Sequence, residues 1–124
     1  MFKFAQITYE ELQEIISSYK WEIPFHLIDR NYIKGCEKIL DSSGNLIAMI
    51  YYYYEERFEY FMISQFEVLE KYRRLGYGKS IIKEFANNHK YPLALLPLDD
   101  ESEKFWLSCG FGYDGPHYGL FHYL

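Results

Sequence analysis

Two long runs rich in β-branched and aromatic residues, 46–54 and 58–69, are separated only by the polar triplet Glu55-Glu56-Arg57. Such residues suit a pleated, half-buried surface, and a short polar break between two such runs is the sequence form of a hairpin. The centre of the chain is thereby committed to an antiparallel sheet. The four consecutive tyrosines, Tyr51 to Tyr54, belong to the first run, and strand alternation sends half of them to each face. Upstream, Cys36–Leu40 leads into Asp41-Ser42-Ser43-Gly44-Asn45, which is turn chemistry and extends the meander by one strand. Residues 2–7 alternate apolar and polar and predict a further short strand.

Helical periods flank this meander. Thr8 with Glu11 three residues later has the form of a capping box, and Leu12, Ile15 and Ile16 then give an apolar stripe to about Tyr19. Residues 21–34, which include Pro24, are expected to form a short helix or a loop. After Leu69 the period changes: Gly76 and Gly78 punctuate a loop, and Ile81, Ile82 and Phe85 fall at helical spacing to about Asn88. The fully apolar run 93–96 suits a strand buried on both faces. Asp99 or Asp100 can cap a helix over 102–109, Gly110 ends it, and residues 111–113 and 118–123 pair across Gly115-Pro116. Strand, loop, helix and strand in the middle form a βαβ unit, so the class is mixed α/β. With no repeat or linker-like stretch, residues 1–124 are expected to be one domain.

Bulk properties narrow the function. At 124 residues, with 49% hydrophobic and 25% charged residues, the chain is sized and composed for one globular core. No apolar run approaches the ~20 residues of a membrane helix, and residues 1–6 lack the apolar stretch of a signal peptide. A cytoplasmic protein without a membrane partner is the expectation. A net charge of −5 argues against general nucleic-acid binding and is compatible with a cationic substrate. Cys36 and Cys109 form no CxxC pair and read as buried, reduced thiols. His26, His89, His117 and His122 lack metal-ligand spacing, so no metal is expected.

Charge is nevertheless uneven. Lys71, Arg73, Arg74, Lys79 and Lys83 make a basic island without an intervening acid until Glu84. They surround a strand, a Gly-rich loop and a helix start, the physical recipe for an anion site. The first turn of a helix has unpaired N–H groups and partial positive charge, and glycines let a phosphate approach them. A P-loop would need a glycine at Arg73, and a dinucleotide fingerprint would need a third glycine at Ile81.

The segment Phe66-Glu67-Val68, followed by Arg73-Arg74-Leu75-Gly76-Tyr77-Gly78-Lys79, resembles the signature of the GNAT superfamily of N-acetyltransferases. That signature is Arg/Gln-x-x-Gly-x-Gly/Ala after a central strand. Phe105-Trp106, three further residues and Gly110-Phe111 resemble the second signature, an aromatic helix ending in Gly-Phe. The order of elements matches over most of the chain. The resemblance implies a mixed, mostly antiparallel sheet of about six to seven strands with about four helices, and a splayed strand pair forming the acyl-CoA cleft. It implies acetyl-CoA as co-substrate, with Val68, Arg73, Arg74, Leu75, Gly76, Tyr77, Gly78, Lys79 and Ser80 binding it. The amides of the loop would hold the pyrophosphate and the strand end near Val68 the pantetheine arm. An amine on a small molecule or protein would attack the thioester directly, and a homodimer is left open.

The resemblance also shows a departure. The family's usual tyrosine acid, four residues before the glycine of Gly-Phe, is replaced by Trp106, and an indole cannot serve as an acid. A frequent Asn near the start of that helix is Asp99, and 93–96 has no ionisable group. Glu67 is then the candidate base, with Tyr51 to Tyr54, Tyr113 and Tyr118 as replacement phenols. The alternatives are a CoA-binding module with weak or lost catalysis, and an interaction protein using exposed tyrosines.

Overall fold

The protein is described by a computed structural model covering residues 1–89, 92–113 and 121–123. Its strands are β1 (Lys3–Gln6), β2 (Cys36–Leu40), β3 (Leu46–Glu55), β4 (Tyr60–Val68), β5 (Leu93–Leu95), β6 (Phe111–Gly112) and β7 (Phe121–Tyr123). Its α-helices among the described residues are α1 (Tyr9–Ser18), α2 (Tyr77–Asn87) and α3 (Asp100–Ser108), supplemented by 3-10 turns at Phe25–Leu27, Arg30–Gly35 and Glu70–Tyr72. The sheet order is β1-β2-β3-β4-β5-β7-β6. β1 and β2, β2 and β3, β5 and β7, and β6 and β7 pair antiparallel, whereas β4 and β5 are parallel. The sheet is therefore mixed, mostly antiparallel and open, as expected.

The parallel pair is the product of the βαβ crossover through α2. Its register places Phe61 opposite Leu93 and Met62 opposite Ala94. β5 ends at Leu95 while β4 continues to Val68, so pairing stops well before the β4 terminus.

The chain packs as two compact units, Met1–Tyr52 with Gln65–Tyr77, and Tyr53–Ser64 with Gly78–Leu124. β3 and β4 each contribute residues to both units. In the first unit, Leu12, Ile15, Phe25, Ile28, Cys36 and Met49 form one buried cluster with Trp21 and Tyr51 packed against it. Fully burying a side chain of this size contributes about 1.5–3 kcal/mol. In the second unit, Tyr60, Met62 and Ala94 form a buried cluster. Trp106 stacks edge-on against Phe111, with ring centroids 5.2 Å apart.

Local signals are realised with informative exceptions. Thr8 Oγ1 accepts the Glu11 N–H at 3.0 Å, but the Glu11 carboxylate pairs with Lys38, so one half of the capping box is diverted to a cross-element ion pair. The β3–β4 tip is longer than the expected triplet, because Glu59 takes a left-handed φ of 58° and its N–H bonds back to Glu55 O at 2.8 Å. β4 accordingly begins at Tyr60. Residues 21–34 form two 3-10 turns, the second capped by Asp29 accepting the Asn31 N–H at 2.8 Å. Asp99 caps α3 by accepting the Ser102 N–H at 2.8 Å. The Gly115-Pro116 turn, His117 and Tyr118 lie outside the described residues.

Candidate functional site

Beyond Val68 the chain makes the 3-10 turn Glu70–Tyr72, turns through residues 73–76, and enters α2 at Tyr77. Two left-handed residues shape that turn, Arg74 with φ 65° and Gly76 with φ 78°. A Cβ built on Gly76 would meet no protein atom within 4 Å. The glycine therefore serves the backbone angle, and among the described residues none beyond its chain neighbours comes within 4 Å of the place a Cβ would take.

Around this space the geometry is that of an anion cradle. The leading N–H groups of α2 have no carbonyl four residues earlier within the helix, and their aligned dipoles favour negative charge. Arg74, Gly76, Lys79 and Ser80 are exposed, with Leu75 62% exposed, while Tyr77 and Gly78 are half-buried. Tyr77 packs edge-on against Phe2 and tilted against Tyr72, at 5.8 and 5.9 Å between centroids. The turn carries a left-handed glycine and the exposed cation Arg74, and the first turn of α2 carries the exposed cation Lys79.

Arg73 behaves differently from the rest of the loop. Its Nε donates to Val68 O at 2.9 Å, its Nη2 to Glu67 Oε2 at 2.9 Å, and its Nη1 to Glu22 Oε1 at 3.4 Å. Its backbone N–H donates to Glu70 O at 3.1 Å. Three of the five guanidinium N–H groups and the backbone amide are thus engaged within the chain.

Glu67 is the second surprise. It is only 6% exposed. Its Oε1 accepts the N–H groups of Glu22 at 3.1 Å and Ile23 at 2.7 Å, and its Oε2 accepts Glu22 N–H at 3.0 Å together with Arg73. A buried carboxylate costs several kcal/mol unless paired and hydrogen-bonded, and here both conditions are met. A carboxylate offers about four lone-pair sites, and three N–H groups, one of them shared between both oxygens, occupy most of them here.

The other candidate acids and nucleophiles are also committed. Trp106 is buried beside Phe105 and Phe111. Tyr52 donates its hydroxyl to Glu37, and burial, followed by that carboxylate, pushes its phenol well above the usual range. Tyr53 and Tyr54 are exposed, and Tyr113 lies edge-on to Phe121 at 4.2 Å. Burial, with Glu37 adding to it, pushes the Cys36 thiol up to about 12, and burial also raises Cys109; both are free thiols. Among the described residues no group of three His, Cys, Asp or Glu could hold a metal ion, and no helix is long and apolar enough to cross a membrane.

Glu67, Val68 and the start of the loop meet through Arg73, which bonds to both residues. The sequence does not point to Glu22 and Ile23, which enter through backbone N–H groups, with the Glu22 carboxylate also accepting from Arg73 Nη1 at 3.4 Å. A shallow pocket of about 450 Å³ lined by Tyr19, Lys20, Leu69, Glu70 and Lys71 lies in the same unit.

No protein-family model matches the sequence, and no curated protein matches it. Solved structures do. A putative GNAT-family acetyltransferase from Bacteroides thetaiotaomicron superposes with a TM-score of 0.61 at 17% identity, covering 97% of this chain and 84% of that one. The Bacillus subtilis N-acetyltransferase YlbP, solved in complex with coenzyme A, gives 0.58 at 24% identity over 90% of this chain and 84% of its own. A chimera of the spermidine N-acetyltransferase SpeG from Vibrio cholerae and hSSAT gives 0.65 at 12% identity, covering 98% and 92%. The chain thus has the fold of the GNAT-family acetyltransferases.

Proposed function

We propose that this protein is an acyl-CoA-dependent N-acetyltransferase that moves an acetyl group from acetyl-CoA to a primary amine. The observation that carries the reading is the open, left-handed Gly76 at the head of α2, directly after the central strand, in a fold that a coenzyme A complex shares. The CoA pyrophosphate would sit against the amides of Arg74, Leu75, Gly76, Tyr77, Gly78, Lys79 and Ser80, with the Arg74 and Lys79 charges nearby.

Leu69 N–H donates to Ile47 O of β3 at 2.8 Å. Successive N–H groups along an extended chain point to opposite edges, so the Val68 N–H is directed away from β3. That supports Val68 as the group that receives the pantetheine arm and polarises the thioester carbonyl. In the reaction the amine nitrogen forms a bond to the carbonyl carbon, the C–S bond breaks, and the ammonium proton leaves to water. The thiolate of CoA departs, and its low basicity relative to an amine lets it leave without a dedicated acid.

The test is thiol release from acetyl-CoA over a panel of amines including spermidine, a lysine peptide and an N-terminal peptide. Acceptor-dependent release, lost in Gly76→Val, is the expected result. A second reading, a CoA-binding module with weak catalysis, is favoured by the buried Trp106. CoA binding without release on any amine would select it over the enzyme.

A further inference from the structure

We infer that Glu67 and Arg73 form a buried clamp that positions the acyl-donor loop, making Glu67 a positioning residue rather than the base. The inference rests on the proposed acyl-CoA reading and concerns how the same site is held in shape. Residues 22–23, more than forty positions away in sequence, meet the strand end and the loop start at one carboxylate and one guanidinium. Arg73 ties the beginning of the cradle loop to the strand end, through Val68 O at 2.9 Å, and to Glu67 at 2.9 Å. Glu67 in turn holds the backbone of Glu22 and Ile23, immediately after α1, at 2.7–3.1 Å.

A base needs a free lone pair and access to the substrate's proton. Glu67 has little of either, with three N–H donors on its two oxygens and only 6% exposure. A tether needs the opposite, several donors from separate segments converging on a buried acceptor, and that is what surrounds it. The guanidinium matches the role, since its rigid fork reaches several acceptors at once, which a lysine ammonium on a flexible stem cannot reproduce. The pocket walls illustrate the consequence. Tyr19 and Lys20 precede the segment that Glu67 holds, and Leu69, Glu70 and Lys71 lie between Val68 and Arg73. The clamp therefore fixes both walls of that pocket along with the start of the cradle.

Glu67→Gln is the discriminating change. An amide offers an acceptor at only one of its two terminal atoms. With Oε1 kept on Ile23, the amide nitrogen faces the Arg73 guanidinium and the Glu22 N–H, donor against donor.

The experiment uses the full chain of wild type, Glu67→Gln, Arg73→Gln and the double variant, and measures two things. Amide hydrogen exchange without ligand reads residues 22–23 and 73–79. Calorimetric titration with CoA, at a temperature where every variant is folded, reads affinity. Both single variants are expected to speed exchange in the two segments together while α1 and β2 stay protected. They are also expected to weaken CoA roughly tenfold through misplacement of the loop, with the double variant no worse than either single one.

Exchange that rises in one segment alone, or in neither, overturns the clamp. Unchanged CoA affinity in folded Glu67→Gln overturns the positioning role. A wild-type chain that binds no CoA overturns the acyl-CoA reading and the donor-positioning role with it, while the exchange data still decide separately whether the two segments are coupled.

Discussion

Gly76 and Gly44 provide a matched pair for testing the cradle. Both have left-handed backbones, φ 78° and 87°, and a Cβ added to either would meet nothing within 4 Å. Alanine at each position should therefore cost the same in the absence of ligand. The left-handed conformation costs an L-residue about 1–2 kcal/mol, which lowers the unfolding midpoint of a chain this size by about 4–8 °C. Ligand should separate the two. At Gly44, in the Asp41 to Asn45 turn, the new methyl group faces solvent alone. At Gly76 it occupies the space assigned to the pyrophosphate, and losing one charge-assisted hydrogen bond there costs about 1.5–3 kcal/mol. That corresponds to roughly 10- to 100-fold in affinity. Thermal unfolding of both variants, followed by CoA titration well below their midpoints, checks each half. Equal CoA affinity in Gly44→Ala and Gly76→Ala would refute the phosphate placement, and a much larger midpoint loss in Gly76→Ala would show that the glycine has a packing role.

Two further outcomes follow from the electrostatics and the caps. The unfolded chain releases the Cys36 proton near 9.0, while the folded protein keeps it to about 12. The unfolded state then binds fewer protons, so stability falls as pH rises between these values, by about 1.4 kcal/mol per unit. Tyr52 adds loss in the same direction above its ordinary value of 10.0. Urea unfolding at pH 8 to 11 should show this decline and a shallower one in Cys36→Ala; identical slopes would mean the thiol is not its source. Asp99→Ala removes the cap on Ser102 N–H and should cost about 1 kcal/mol in urea unfolding, whereas Asp99→Asn should cost a few tenths. An alanine variant as stable as wild type would show that the α3 start is held by other contacts.

What the sequence reveals and what it hides divides along the range of the interactions involved. Thr8, Asp99 and the Asp41 to Asn45 turn act within four residues, so their chemistry is local and the elements they bound emerged nearly in place. The segment 21–34 did not, because its start is fixed by Glu67, 44 and 45 residues away. The same distance hides the role of Glu67: a lone acid on a strand looks like a base until the donors around it are located. Glu11 is the converse case, its capping motif partly overridden by Lys38 on a neighbouring strand. Val68, Gly76 and Gly78 stand out in the sequence because a strand followed by closely spaced glycines is a local pattern. The proton chemistry was not, since Trp106 removes the family's usual acid and no local pattern names a substitute.

Acyl-CoA binding is the claim on which the rest depends, and thermal unfolding with acetyl-CoA, free CoA and ATP in parallel tests it most directly. A ligand at about 100 times its dissociation constant adds about 2.7 kcal/mol, which raises the midpoint by several degrees. A rise with acetyl-CoA and CoA and little with ATP is the expected result. No rise with either CoA form would contradict the cradle and leave the loop as a turn between a strand and a helix.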